Sequence, residues 1–376
     1  MSEAVLPEPD RAEGAPHPRE TLELFGQPKA EAAFLEAFNA ARLHHGWLLT
    51  GPRGVGKATL AWAIARFLLA TPEVDTGPGL FGDAPAAPAQ LQINPEHPVA
   101  RRIMAGSEPG LKLIRRTPNP KTGRMRDVIS VEDIRQLTPF LNLSAADGGR
   151  RVVIVDCADE MNPQAANALL KMLEEPPAKT VLLLVSHQPS RLLATIRSRC
   201  RELRLAPLSK EDMARALAQA GVAAEPGLGA ALAALSGGSV GEAVRLINLG
   251  GLEMYAELIG LFADLPKLDR ARAMRLAEMS AARGADAKLD LLIGLIELLL
   301  ARLARSGATG QARDPEAAIG EAALFLRLAP DAHTARGWAE LAEMLGQRMR
   351  HGRAVNLDPA ALILDTILKI RDKAAG

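Results

Sequence analysis

Aromatic residues are scarce in this 376-residue chain, at 3%, although 48% of its residues are hydrophobic. A core poor in rings has to be built from Ala, Leu, Val and Ile, a composition that suits helices, and the length allows two or three domains. Cysteine is almost missing: the chain has two, Cys157 and Cys200. That is too few for a disulfide framework or an all-thiolate zinc site, and it fits a reducing cytoplasm. Net charge is nearly absent as well. At +1 no global basic field draws nucleic acid, so any such contact is local or shared with partners. No apolar run is long and uncharged enough to span a bilayer, and residues 1–20, rich in Pro, Glu and Ala, hold no apolar signal core. The expectation is a soluble cytoplasmic protein with a flexible N-terminal tail and no membrane contact.

What the chain does contain is a nearly complete phosphate-binding loop, Gly51-Pro52-Arg53-Gly54-Val55-Gly56-Lys57-Ala58. In a working P-loop, backbone amides cradle phosphates, the lysine neutralises them, and a Ser or Thr hydroxyl after the lysine helps hold magnesium. Gly51, Gly54, Gly56 and Lys57 keep the first two functions. Ala58 cannot supply the third, and Thr59, one residue late, is rotated by about 100° around a helix. The surroundings fit the motif: the apolar run Trp47-Leu48-Leu49 predicts a strand before the loop, and Leu60, Ile64, Phe67 and Leu68 predict a helix over 57–70 after it.

Strand signals recur at Leu111–Ile114, Arg151–Asp156, Val181–Ser186 and Arg201–Leu205, separated by helical stretches at Val131–Leu141, Pro163–Leu173 and Leu192–Arg197. Ser130 with Asp133 approximates a capping box, and Pro163 opens a helix that Pro176-Pro177 ends. Alternation of this kind predicts an α/β fold with a parallel sheet and helices on both faces. Residues 71–98 read as an exposed insertion. Beyond Pro207 only helical patterns remain: a small unit to about Leu249, then five or six helices with breaks near Leu265-Pro266, Ser306-Gly307, Pro330 and Asn356–Pro359. They show no fixed repeat.

Asp156 closes a β-branched strand, where a carboxylate reaches the sheet's C-terminal edge and can organise magnesium. The next position, which would carry the base that activates water, is Cys157, a poor base and a soft ligand. Asp159 and Glu160 read as solvated acids at a helix start. Ser186, ending another strand, offers a hydroxyl toward phosphate or water, or is simply a cap.

The loop, the strand ending at Asp156, the run Asn167-Ala168-Leu169-Leu170-Lys171-Met172-Leu173-Glu174-Glu175-Pro176-Pro177 and Ser198-Arg199-Cys200 together resemble the AAA+ subunits of bacterial sliding-clamp loaders. The Asn-Ala-Leu-Leu-Lys to Glu-Glu-Pro-Pro run discriminates most, because generic P-loop proteins lack it. The resemblance covers about Phe25 to Leu249 well and the C-terminal helices only in character. It implies an AAA+ P-loop domain over 21–206, a helical lid over 207–250, and an all-α collar over 251–376 that assembles with partners. It also implies that Arg199 is an arginine finger reaching into a neighbouring subunit's ATP site. The alternative for Arg199 is a structural pairing with a local carboxylate.

Two departures from active members point to a degenerate site. Gly241 stands where a second sensor arginine is expected, with Arg245 one turn later as a stand-in. The four-cysteine zinc module of many relatives has no counterpart here, so no zinc is expected. The resemblance thus implies a stator that needs no cofactor of its own, binds ATP and magnesium weakly or not at all, and takes metal ligands from none of its residues. Its partners would be ATPase subunits of the gamma or tau type and the delta subunit, with the sliding clamp and primer-template DNA met through the complex. One rival is an ATP-hydrolysing motor of the gamma/tau type, which turnover by the isolated chain would reveal. Another is a DNA-binding module using Arg115, Arg116, Lys121, Arg124 and Arg126, which tight, salt-sensitive DNA binding would reveal.

Overall fold

The computed structural model describes residues 8–71, 87–119, 122–123, 125–142, 149–222, 228–282, 284–311 and 315–376. The chain falls into two compact units, one comprising Met1–Ala223 with Ser239–Gly241, the other Ala224–Gly238 with Glu242–Gly376.

The first unit is built on five parallel strands: β1 (Gly46–Thr50), β2 (Leu111–Arg115), β3 (Arg151–Asp156), β4 (Thr180–Val185) and β5 (Arg201–Arg204), in the order β2-β3-β4-β1-β5. The inner strands β1, β3 and β4 are buried along their whole length, which is why they read as unbroken apolar runs rather than as alternation. Helices cover both faces. On one side α1 (Pro28–Asn39), α2 (Lys57–Ala70) and α3 (Pro98–Met104) pack against Trp47, Leu49, Val152, Ile154 and Leu183. On the other, α4 (Val131–Arg135), α5 (Leu137–Asn142), α6 (Pro163–Glu174) and α7 (Ala194–Arg197) pack against Leu48, Val153, Val155, Leu182 and Leu184. This is the predicted α/β P-loop architecture. The single helix expected over 131–141 is two, because Pro139 has no N–H to donate to Arg135 one turn back. Its start is as read, with Asp133 accepting from the backbone N–H of Ser130 at 2.9 Å and from its hydroxyl at 2.7 Å.

The expected N-terminal tail is largely part of the fold. Residues 1–7 lie outside the described residues; residues 11–14 are exposed, and the chain around them is packed. His17 is fully buried, edge-on to Trp62 with ring centroids 5.6 Å apart, and its Nε2 lies 3.0 Å from Asp10. Arg115 pairs with both Asp10 and Glu8. Buried ring surface and paired charge hold what composition alone marked as a tail. Of the insertion, 72–86 fall outside the described residues; the described remainder is not wholly exposed, since Leu91 is buried in the core and Ile93 packs against it.

Within the stretch expected as the lid, α8 (Lys210–Gln219) groups with the sheet, while α9 (Gly229–Ser236) and most of α10 (Val240–Leu249) group with the second unit. That unit continues through α11 (Gly251–Phe262), α12 (Arg270–Ala281), α13 (Asp286–Thr309), α14 (Glu321–Leu328), α15 (Ala332–Ala354) and α16 (Pro359–Ala374). The break expected at Ser306-Gly307 is absent, and α13 runs on to Thr309. Gly307 is there because a side chain would strike the carbonyl of Ala329 at 2.6 Å and the side chain of Ala335 at 3.0 Å. It marks a close approach of helices. A buried ion pair anchors the unit: Glu321 receives Arg302 at 2.7 and 2.8 Å and the Tyr255 hydroxyl at 2.5 Å.

Candidate nucleotide site and the Arg199 edge

The P-loop connects β1 to α2 at the C-terminal edge of the sheet. Its three glycines hold φ of +138°, +76° and +99° at 51, 54 and 56, conformations that L side chains rarely adopt. Lys57, 3% exposed, donates to the carbonyl of Gly51 at 2.7 Å and to that of Pro52. Burial pulls its amine down to about 8, against the attraction of Asp156 and Asp159. Gln27, which the sequence reading missed, pins the surroundings: its amide donates to Val55 and Ala206 carbonyls at 3.2 and 2.8 Å and accepts from the Ala206 N–H at 3.1 Å.

Asp156 reaches the same edge, in register with Val185 of β4. Burial pushes its carboxyl up to about 6, and the Cys157 thiol donates to its Oδ1 at 3.0 Å. Burial and the adjoining carboxylate drive the Cys157 thiol well above its ordinary range, so it remains protonated and is no base. The Cys157 Sγ also lies 3.0 Å from Nε2 of His187, a second residue the sequence reading passed over. Its only signal was its position directly after Ser186. Burial, with Lys57 nearby, lowers the His187 imidazole to about 4, leaving it neutral. Ser186 is fully buried; its N–H bonds to Leu49 at 3.0 Å, and its hydroxyl has no partner among the described residues. Asp159 and Glu160 are more engaged than expected: Asp159 accepts the His187 N–H at 2.9 Å and Glu160 pairs with Arg116 at 2.8 Å.

The segment 239–241 lies directly on the loop. The N–H of Gly241 bonds to Gly54 at 3.2 Å, and a side chain on Gly54 would come within 2.2 Å of the Ser239 hydroxyl. Arg245, the stand-in for a second sensor, is engaged by Glu242 at 3.5 Å and by the Ala287 carbonyl at 3.4 Å.

These residues do not fit the magnesium nucleotide that a P-loop implies. Position 58 has no oxygen to offer, Asp156 already accepts the neighbouring thiol, position 157 lacks a base, and position 241 has no side chain.

The structure brings Gly51, Gly54, Gly56, Lys57, Asp156 and Ser186 to one edge and leaves Arg199 at the other. The carbonyl of Arg199 is 3.1 Å from where a side chain on Gly46 would begin, at the first residue of β1. The strand lies between them and the loop, on the order of 13 Å at 3.3 Å per residue. The Arg199 guanidinium, 38% exposed, bonds Glu174 at 2.9 Å and the Thr195 carbonyl at 3.0 Å. Of the basic run, Arg115, Arg116 and Arg126 are all paired with carboxylates; Lys121 and Arg124 lie outside the described residues.

A P-loop after the first strand, a buried acid ending the third, and helices on both faces define an α/β P-loop fold, here with no hydroxyl directly after the loop lysine. The sequence profile of the family described as DNA polymerase III, delta subunit, matches residues 26–209. The chain is 39% identical over 239 residues to DNA polymerase III subunit delta′ of Pseudomonas aeruginosa, covering 62% of this chain and 64% of that protein. It is 35% identical over 212 residues to its Escherichia coli counterpart, covering 56% and 57%. Subunit tau of Salmonella typhimurium is 29% identical over 293 residues, 76% of this chain and 41% of that protein. Over the matched residues the chain is similar to DNA polymerase III subunits of the delta-prime type. The matches span less than two thirds of these relatives' lengths.

Proposed function

We propose that this chain is a clamp-loader subunit that acts as a stator: it hydrolyses little or no ATP itself and presents Arg199 to the ATP site of a neighbouring subunit. The observation that carries this reading is the placement of Arg199. It is exposed at the sheet edge opposite its own P-loop, so any phosphate it meets belongs to another molecule. A guanidinium there would stabilise charge developing on the transferring phosphoryl group. The proposed partners are ATPase subunits of the gamma or tau type, the delta subunit, and, through the complex, the sliding clamp and primer-template DNA. The proposed working parts remain an AAA+ domain, a lid and a collar, and ATP with magnesium binds weakly or not at all at the Gly51–Ala58 loop.

The motor reading is weakened by Ala58, Cys157 and Gly241. The DNA-binding reading is weakened by the carboxylate partners of Arg115, Arg116 and Arg126. Among the described residues no single helix is long and apolar enough to cross a membrane.

The test is DNA-stimulated ATP hydrolysis by a reconstituted clamp-loader complex containing this chain. Arg199→Ala is expected to lower turnover sharply while Lys57→Ala leaves it near wild type, with all three complexes assembling. Loss of turnover with Lys57→Ala alone would make this chain a motor and overturn the reading.

A further inference from the structure

We propose that Asp156, Cys157 and His187 form a binding site for one borderline divalent transition-metal ion of the zinc or cobalt class. The three side chains offer an oxygen, a sulfur and a nitrogen whose donor atoms all lie within 4.8 Å of one another. The sulfur sits 3.0 Å from both other donors. In a tetrahedral site with metal–sulfur bonds near 2.3 Å and metal–nitrogen or metal–oxygen bonds near 2.1 Å, such donors stand about 3.5 Å apart. Opening the cluster by roughly half an ångström therefore admits the ion.

The scaffold already holds the donors. Asp156 ends β3 beside Val185 of β4, so Cys157 and His187 leave adjacent strand ends, and Asp159 fixes the His187 backbone at 2.9 Å. Protons alone serve the cluster poorly. One thiol hydrogen cannot go to both Asp156 and His187. If the neutral imidazole carries its proton on Nδ1, the Nε2 and Sγ lone pairs face each other; if on Nε2, a buried Nδ1 lone pair has no partner among the described residues.

The donor set also explains the misfit to magnesium as an exchange of preference. Magnesium takes oxygen ligands, whereas thiolate and imidazole select softer ions. Ala58 removes an oxygen from this edge of the sheet, while Cys157 and His187 add sulfur and nitrogen. Binding is a proton exchange: the Cys157 thiol releases its proton to solvent and its sulfur lone pair bonds to the metal. Carboxylate and thiolate together balance the two positive charges, while Lys57 stays on the loop carbonyls. Water completes the coordination. This site is separate from the four-cysteine zinc module, for which the chain has no residues.

The experiment is titration of the full chain, without an affinity tag, with Co²⁺, following the thiolate-to-cobalt charge-transfer absorption. One Co²⁺ per chain is expected, displaced by Zn²⁺ and unaffected by excess Mg²⁺. The band is expected to vanish in Cys157→Ala and His187→Ala and to persist in Cys200→Ala. Absence of the band in wild type, or its persistence in Cys157→Ala, overturns the proposal. Should Cys157→Ala fail to fold, the Cys200→Ala chain decides alone, because its sole thiol is Cys157. The isolated chain is read throughout, so the result is independent of the stator reading.

Discussion

The two edges of one sheet have been treated in opposite ways. At the C-terminal edge several polar groups are engaged by one another: Lys57 by loop carbonyls, Asp156 by the Cys157 thiol, the Gly54 carbonyl by Gly241. At the N-terminal edge Arg199 stands in solvent with a single exposed carboxylate partner. The difference teaches that packing alone can account for the glycines of a P-loop. A side chain on Gly51 would strike the Leu205 carbonyl at 2.4 Å, and one on Gly54 would strike Ser239. The loop's shape is part of the core, whether or not phosphate visits it. Chemistry on behalf of another molecule, by contrast, needs only a charged group left reachable.

The comparison breaks most sharply at Arg199. Replacement by lysine keeps the positive charge but removes the planar fork of donors. If Arg199 works on a neighbour's phosphoryl group, Arg199→Lys lowers turnover of the assembled complex by about a hundredfold or more, a large part of the roughly 10³–10⁵ that a whole arginine finger contributes. Turnover near wild type would show that charge alone, or nothing at all, is delivered from this edge.

The packing role of the loop is tested by Gly54→Ala. Both the left-handed φ of +76° and the 2.2 Å approach to Ser239 oppose a methyl group, and about 2–4 kcal/mol of stability should be lost in urea unfolding. Gly237→Ala is the control: its φ is +58° and no described atom lies within 4 Å of where the methyl group would sit, so it should cost only the backbone strain of about 1–2 kcal/mol. Equal losses would mean that the contact with Ser239 contributes nothing.

Why the fold was legible and the site only partly so follows from the same residues. Val152–Val155 and Val181–Val185 are apolar throughout because both faces of their strands are covered, and Pro163 and Asp133 mark helix starts through local geometry and bonding. Such signals lie within a few residues of their effect. The packed segment 8–20 was missed because His17 is held by Trp62 and Asp10, and Arg115 by Asp10 and Glu8, contacts far from one another in sequence that leave no periodic trace. Gly307 carried the opposite error: the sequence shows a helix breaker, while the fold uses it as a place for another helix to approach. At the site, Gly51 to Lys57 and Asp156 are readable from spacing. His187 and Gln27 are not, since each acts through partners on a different strand or loop.

A smaller effect probes the exposed edge. The Arg199–Glu174 pair is 2.9 Å long, with both side chains about two-fifths exposed. Solvent screening limits such pairs to below about 1 kcal/mol, so Glu174→Gln should shift thermal unfolding little. Its use is to separate holding from function. If the pair only anchors the loop before β5, releasing it leaves turnover of the complex unchanged; if Glu174 sets the direction of the guanidinium, turnover falls although stability does not.

The smallest expected effect is also the most direct test of the buried edge. Ala58→Ser restores the one hydroxyl whose loss is plainest in the sequence. Were that loss the sole defect, the isolated chain would gain ATP hydrolysis. The structure argues otherwise, because the serine would join a site where Asp156 already accepts a thiol, where Cys157 is held protonated by burial and the neighbouring carboxylate, and where Gly241 brings no cation to the phosphates. Each defect acts on a different part of the reaction: metal binding, activation of water, and charge stabilisation. Repairing one leaves the other two, and no measurable gain in hydrolysis is expected. A clear gain from this single change would mean that the polar groups at the C-terminal edge separate readily when nucleotide arrives, and the contrast between the two edges would then be one of occupancy rather than of construction.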